Sequence, residues 1–523
     1  MHLCLEVVDV LQFICDELDR KSAFHLALAS RAFLEPALDR IWHKLDSFAP
    51  LVSCLPEDLV TAERVELDDD GDDFNVRHHL KRDPEEEDLH RYLDYYAPRI
   101  RCLEVGSGHG ITVLPIETLQ ALQLIAGNQA GVLSPNLRRL VWLVTEDSFR
   151  ISGEYCQQLS PYVLLFLGQH VTSMNICLDV NHSPIHRTAV RAALKHVGPN
   201  LKHLEVTGLE LLKYCAPCLP WSQLQHLEVY IMEAEDISRV ATLPRLVRFE
   251  VLVLEEPRNA SIMELPPISK GFPCLEYLEV SCYHFSQIHD VLRHLSPVNN
   301  LKTIVWEAPL MSEVNSAIDL VGRWCTPTSF VCLKMLDHHW SMAPPVDPQP
   351  EILNIAALFH FMKMEEIDIS VNTEPRLTPD ILDNIPRAWP AIQRLSLCPV
   401  PPPGSTPQID PTHVAQLIHR LPSLEVLALQ FDATRISRDE RSIPDLPPSA
   451  LHTLGVGGSP INSPPRVVAF LKANFPSLQR LDARYWRGYD EKDLFASRWR
   501  PFGRLRSRGG VGLIWLWSSV KHD

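Results

Sequence analysis

The sequence predicts an α/β chain: a short N-terminal three-helix unit, then an irregular repeat solenoid whose curved parallel sheet carries helices on its convex side. Three observations lead there. First, a phrase of the form L-x-x-L-x-V stands at residues 201–206, 224–229, 246–251 (with Phe249 in its middle slot) and 275–280. Self-similarity at a spacing of about 20–50 residues marks a repeat architecture, because each unit cannot bury its apolar face without a stacked neighbour. Second, each phrase has period two, so it reads as a short strand with alternate side chains inward. Third, amphipathic segments of helical period lie between phrases, and strand alternating with helix predicts a parallel sheet.

Bulk properties agree. A chain of 523 residues is too long for one compact core. Its 46% apolar content is ordinary for a folded chain, and no apolar run is long enough to span a bilayer. Glu6 and Asp9 stand where a secretory signal would be basic, so none is expected. The 13 cysteines are odd in number and scattered, which reads as reduced thiols in a cytoplasmic or nuclear protein. A net charge of -16 argues against nucleic acid as a partner and fits a basic protein segment. The 43 prolines suit many turns between short elements.

In chain order, residues 1–50 come first. Val10, Leu11, Ile14 and Leu18 share a helical face. Asp19 and Ser22 offer caps for a second helix over 22–33, and Pro36 is expected to open a third, with Leu38, Ile41, Trp42 and Leu45 as its buried stripe. A unit of about 45 residues seldom folds well alone, so it wants a partner.

These residues resemble the F-box family. Its members typically read L-P-x-E-[IV]-L-x-x-I-F-x-x-L and then D-L-L-R-L-A-L-V-C-R-x-W. Here Val7-Val8-Asp9-Val10-Leu11 leads to Ile14 and Leu18, and Ser22-Ala23-Phe24-His25-Leu26-Ala27-Leu28-Ala29-Ser30-Arg31-Ala32-Phe33 follows. Val8 replaces the usual proline and Asp9 the usual glutamate. Fungal chains that pair such a box with leucine-rich repeats are similar to this one in organisation. The resemblance implies docking on a Skp-type adaptor and, through it, on a cullin ubiquitin ligase. It puts Val7, Val10, Leu11, Ile14, Leu26 and Leu28 at the adaptor contact. The other reading of the unit is a helical cap that seals the first repeat.

Residues 51–99 form a linker with a first repeat strand expected near Val65-Glu66-Leu67. The acidic runs 68–73 and 85–88 read as a solvated loop. A calcium loop opening at Asp68 would need a glutamate where His79 stands. Leu103-Glu104-Val105-Gly106-Ser107-Gly108-His109-Gly110 resembles the glycine loop of methyltransferases that use S-adenosylmethionine. However, residues 100–105 are in phase with the repeat phrase, so the glycines read as a turn leaving a repeat strand.

The solenoid spans about 100–483. Further phrases stand at 137–142, 171–176, 301–306, near Leu333, and at 367–369, 392–397, 424–429, 451–456 and 478–483. Helices are expected over 188–197, from Ser463-Pro464 onward, and through Val414, Leu417, Ile418 and Leu421. Residues 401–411 read as a proline-rich loop. Slots four and six of each phrase point inward, so slots three and five face the concave surface. Slot five gives Glu205, Glu228, Glu250 and Glu279; slot three gives His203, His226, Arg248 and Tyr277. If the phrases stack in register, these form a glutamate column beside a mixed basic one, a candidate contact for a basic or mixed-charge partner.

No catalytic residue, metal ligand set or cofactor is assigned, and the chain reads as a non-enzyme. Cys215 and Cys218 lack a second ligand pair for zinc, and His182, His186, His338 and His339 lack partner motifs. The tail, 484–523, has clustered arginines and then an apolar run too short to cross a membrane. Three functions follow in order: a ligase substrate receptor whose repeats hold a protein target, a repeat scaffold without ligase association, and, remotely, a methyltransferase.

Overall fold

The computed structural model describes residues 7–66, 74–106, 112–144, 153–178, 184–208, 221–255, 271–282, 285–308, 314–337, 352–371, 375–398, 407–436, 449–457 and 459–482. Among these described residues the fold is α/β, with fifteen parallel strands and intervening helices in the leucine-rich-repeat-like manner. The chain divides into two compact units, one formed by Met1–Met232 with Leu243–Leu246, the other by the remainder. Six of the parallel strands lie in the first unit and nine in the second.

The first unit begins with helices α1 (Val8–Asp16), α2 (Arg20–Ala29) and α3 (Arg31–His43). Asp19 caps α2, its carboxylate accepting from the Ser22 backbone N–H at 2.7 Å, so Ser22 lies inside the helix rather than capping it. Pro36 does not open the third helix; it sits inside α3, buried. There it deprives the Ala32 carbonyl of an intrahelical partner, a loss that tertiary packing outweighs. Leu11, Cys15, Ala23, Phe33 and Ala37 form the small core of the three helices.

The parallel stack starts earlier than the sequence suggests. Its first strand is β1 (Lys44–Leu45), which pairs with β4 (Cys102–Val105). Val65 and Glu66 belong instead to β2 (Val60–Glu66), antiparallel to β3 (Phe74–Leu80); β3 also pairs with β5 (Thr112–Val113) in a separate three-stranded sheet. Residues 68–73 lie outside the described residues. Glu86, Glu87 and Asp88 are not a solvated loop but the first turn of helix α4 (Glu86–Arg91), where acids favour the helix dipole. Asp88 is buried, accepts both Arg82 Nη atoms at 2.7 Å and closes a capping box with Glu85.

From β4 onward, the repeat phrases are the strands. In the first unit they are β6 (Arg139–Trp142), β7 (Ser173–Leu178), β8 (His203–Gly208) and β9 (His226–Glu233). Slot four aligns as Leu45, Leu103, Leu140, Met174, Leu204 and Leu227, each opposite the next and all buried. The second unit holds β10 (Arg248–Glu255), β11 (Tyr277–Cys282), β12 (Thr303–Ala308), β13 (Cys332–Asp337), β14 (Glu366–Ser370), β15 (Arg394–Leu397), β16 (Val426–Leu429), β17 (Thr453–Gly455) and β18 (Arg480–Asp482). Its ladder runs Phe249, Leu278, Ile304, Leu333, Ile367, Leu395, Leu427, Leu454, Leu481, again buried throughout. Each such side chain contributes roughly 1.5–3 kcal/mol by leaving water.

The return helices form where the pattern places them. Pro184–Val197 buries Val190, Ala193, Leu194 and Val197. Pro411–Arg420 buries Val414, Leu417 and Ile418; Asp410 caps it by accepting from Thr412 and His413 N–H, with Pro411 at its first position. Thus Pro411 starts a helix rather than ending a loop. Pro464–Asn474 likewise follows Ser463, but the Ser463 side chain makes no cap bond.

Trp306 on β12 is fully buried, its indole N–H donating to Cys282 Sγ at 3.2 Å. Trp306→Ala is expected to cost about 3–5 kcal/mol in urea denaturation, whereas the exposed Lys302→Ala stays within about 0.5 kcal/mol. The Arg82 guanidinium, aided by the Glu85 backbone N–H, holds the Asp88 carboxyl at about 2, below its ordinary 3.8. A carboxyl depressed by folding stabilises fully above its unfolded value, and that stability is lost as pH falls from near 4 through about 2. Asp88→Asn should therefore remove about 1–2 kcal/mol at neutral pH and flatten this acid limb of the stability–pH curve.

Candidate functional site

Two surfaces carry side chains that their own elements leave unused: the outer side of the helical unit, and the strand face that bears slots three and five.

On the helical unit, the six residues implied by the F-box resemblance do not share one fate. Leu11 is only 4% exposed, a core residue rather than a contact residue. Ile14 and Leu26 are half-buried against that core, and Val10 is half-buried too. Val7 and Leu28 are exposed, Leu28 at 71%. Four further large apolar residues of the unit, outside the six that the resemblance names, are exposed: Val8 and Phe13, each at 68%, Phe24 and Leu34. Helix α1 has apolar residues on both sides, so its period could not say which side faces the core. Only packing against α3 decides it. On α2, Phe24 and Leu28 stand four residues apart, hence on one face.

The inner side of α3 is fastened to the chain beyond it. Trp42 stacks on Tyr96 at 4.4 Å and meets Tyr92 edge-on. Arg99 pairs with both Glu35 and Asp39, and the Tyr95 hydroxyl donates to Glu35. Together with the β1–β4 pairing, these contacts make the helices continuous with the first repeats.

On the strand face, the register within each unit is the one the phrases imply. In the first unit, His203 lies opposite His226 and Glu205 opposite Glu228. The two imidazoles meet edge-on at 5.8 Å. Burial and the neighbouring His226 lower the His203 pKa, so it stays neutral at physiological pH. At the start of this unit's stack, Lys44 pairs with Glu104 at 2.6 Å. In the second unit, Arg248 lies opposite Tyr277 and Glu250 opposite Glu279. Here the slot-three groups do more than flank the acids. Arg248 binds Glu250 and lies 3.8 Å over the Tyr277 ring, and the Tyr277 hydroxyl donates to Glu279 at 2.5 Å. Each glutamate is thus met by a group on its own strand, two residues away. The Glu250 bond raises the Arg248 pKa; burial, then the Glu279 bond, raises that of Tyr277. Slot five is not polar throughout, since Val141 and Val305 occupy it buried.

Gly106 directly follows β4 with φ 90°, the left-handed region glycine favours. It therefore serves as the turn out of a repeat strand. The next strand of the stack, β6, ends in Val141 and Trp142, with no acid to hold a ribose. Gly108, Cys215, Cys218, His182, His338, His339 and the tail lie outside the described residues, as does the His186 side chain. Among the described residues, no helix is long and apolar enough to cross a membrane.

Arg248→Ala leaves the opposed Glu250 and Glu279 with less compensation. It should cost about 0.5–1.5 kcal/mol in low salt, and less in molar salt, where like-charge repulsion is screened.

No family model matches the sequence, and no curated protein matches it at a significant level. Among solved structures, the chain is similar to one in a crystal structure of a yeast Rad7 and Elc1 complex. The match has 12% identity and a TM-score of 0.29, covering 66% of this chain and 84% of that one.

Proposed function

We propose that this protein is the substrate-receptor subunit of a cullin ubiquitin ligase. Its N-terminal helices dock a Skp-type adaptor, and its repeat strands hold a protein target. The observation that carries the reading is the exposure of Val8 and Phe13 on α1 and of Leu28 on α2. A unit that only capped the repeats would bury its apolar residues against them and show water a polar face. This unit does pack on the first repeats through Trp42 and Arg99, yet it keeps large apolar side chains in water on its other helices. Leaving such residues unburied forgoes their transfer free energy, which a partner would recover.

The proposed chemistry is proximity. The chain supplies no reacting group; it holds a target lysine near a charged ubiquitin carrier borne by the ligase core. The fastening of α3 to Tyr95, Tyr96 and Arg99 suits this role, because it fixes the adaptor-bound helices to the first strands. The target is inferred to be a basic segment lying along Glu205 and Glu228 in the first unit, with location cytoplasmic or nuclear. The scaffold reading differs only in lacking the adaptor. The methyltransferase reading predicts cofactor binding that dies with Gly106 and Gly108, and the place of β4 in the repeat stack argues against it.

The test is retention of a purified Skp-type adaptor by the full chain, beside a Phe13→Asp/Leu28→Asp variant. Both positions are exposed, so the variant should keep its circular dichroism spectrum; Leu11→Asp would instead disrupt the core. Wild-type retention, weakened at least about tenfold in the variant, is the expected result. Retention by neither protein would leave a scaffold whose helices are a cap.

A further inference from the structure

We propose that a pocket beside the helical unit is a docking site for an acidic peptide segment anchored by a large apolar side chain. The pocket lies within the first unit and has a volume of about 530 Å³, within the range of sites that take a ligand or an anchoring side chain. Trp42, already stacked on Tyr96, lines it together with Ile41 and Phe24. Two guanidiniums, Arg20 and Arg91, also line it, against a single carboxylate, Asp46.

The charge is what selects the occupant. Among the described residues, neither Arg20 nor Arg91 pairs with a carboxylate; Arg91 donates only to the Tyr96 hydroxyl, at 3.2 Å. Asp46 accepts from the Ser47 hydroxyl next to it. A chain with net charge -16 thus presents two guanidiniums against one carboxylate at an aromatic pocket. A segment with Asp or Glu beside a Trp, Phe or Leu fits both features: the carboxylates meet the guanidiniums, and the apolar side chain covers Trp42 and Phe24.

The backbone holds these groups in an uncommon geometry. Arg91 ends α4, and Tyr92–Tyr96 continues it as a π-helical turn. Such turns are rare and are frequent at functional sites. The turn is anchored from behind: Tyr92 is buried, and its hydroxyl donates to the Leu133 carbonyl at 2.6 Å. Arg91 and Tyr96 are thus presented from a fixed support. The inference does not rest on ligase association.

The experiment is selection of a displayed random peptide library on the full chain, with parallel selection on an Arg20→Glu/Arg91→Glu variant. The expected outcome is a set of peptides rich in Asp and Glu next to Trp, Phe or Leu. As synthetic peptides, these should bind the wild type at least about tenfold tighter than the variant. Arg20→Glu alone, at an exposed residue, gives a second variant that should still weaken binding if the double one fails to fold. Recovery of no peptides, of peptides without acidic enrichment, or of peptides that bind wild type and Arg20→Glu equally would overturn the proposal.

Discussion

In-register stacking of parallel strands is the constraint on which the rest of this protein depends. A strand has period two, so one residue of slip would turn every inward leucine to water and every slot-five residue into the core. Phe249 opposite Leu278, then Ile304, Leu333 and Ile367, shows how little freedom the second unit has. Once that ladder is set, the facing residues are set with it. Arg248 must lie over Tyr277 and Glu250 beside Glu279, because their neighbours on each strand are buried in the only register that keeps the apolar slots dry. The charged face is thus a by-product of core packing as much as a feature in its own right.

The same logic explains why that face is not strained by its like charges. Opposed glutamates in adjacent strands repel. In the second unit the relief comes from along the strand, since positions two apart lie on one face and Arg248 and Tyr277 each reach an acid on their own strand. In the first unit the groups beside Glu205 and Glu228 are imidazoles, and burial keeps His203 neutral. The helical unit works by a different force. Its outer side offers dispersion and burial, while Arg20 and Arg91 add local positive charge beside an aromatic pocket.

The repeat strands were legible because their signal is redundant. Fourteen phrases share one pattern, and a weak copy such as the one around Leu333 is supported by its neighbours. Helices that follow a cap and a proline, as at Asp410-Pro411, were legible for a similar reason: two local signals coincide there. Elements without repetition were read less well. The two-residue strand β1 carries no pattern and exists only because Cys102 and Leu103 pair with it. Val65 sits in an alternating stretch that fits either sheet, and its antiparallel partner at Asn75 lies beyond an acidic run that suggested a loop. Pro36 by local preference belongs at a helix start, its cheapest position, but the packing of Phe33 and Ala37 outweighs the lost hydrogen bond.

By itself, then, the sequence determined the fold class, the strand positions and which side chains of each strand face inward, because period and repetition are local properties of the chain. Tertiary structure alone decided which apolar residues of the first helices are core and which meet water. It placed Leu11 inside and Phe13 and Phe24 outside, a choice that a helix with apolar residues on both sides leaves to its neighbours. It also decided that Arg20, from α2, and Arg91, from the end of α4, share one pocket. They are 71 positions apart in the chain, and no local period relates them; only the packing of α3 against the Tyr92–Tyr96 turn brings them together.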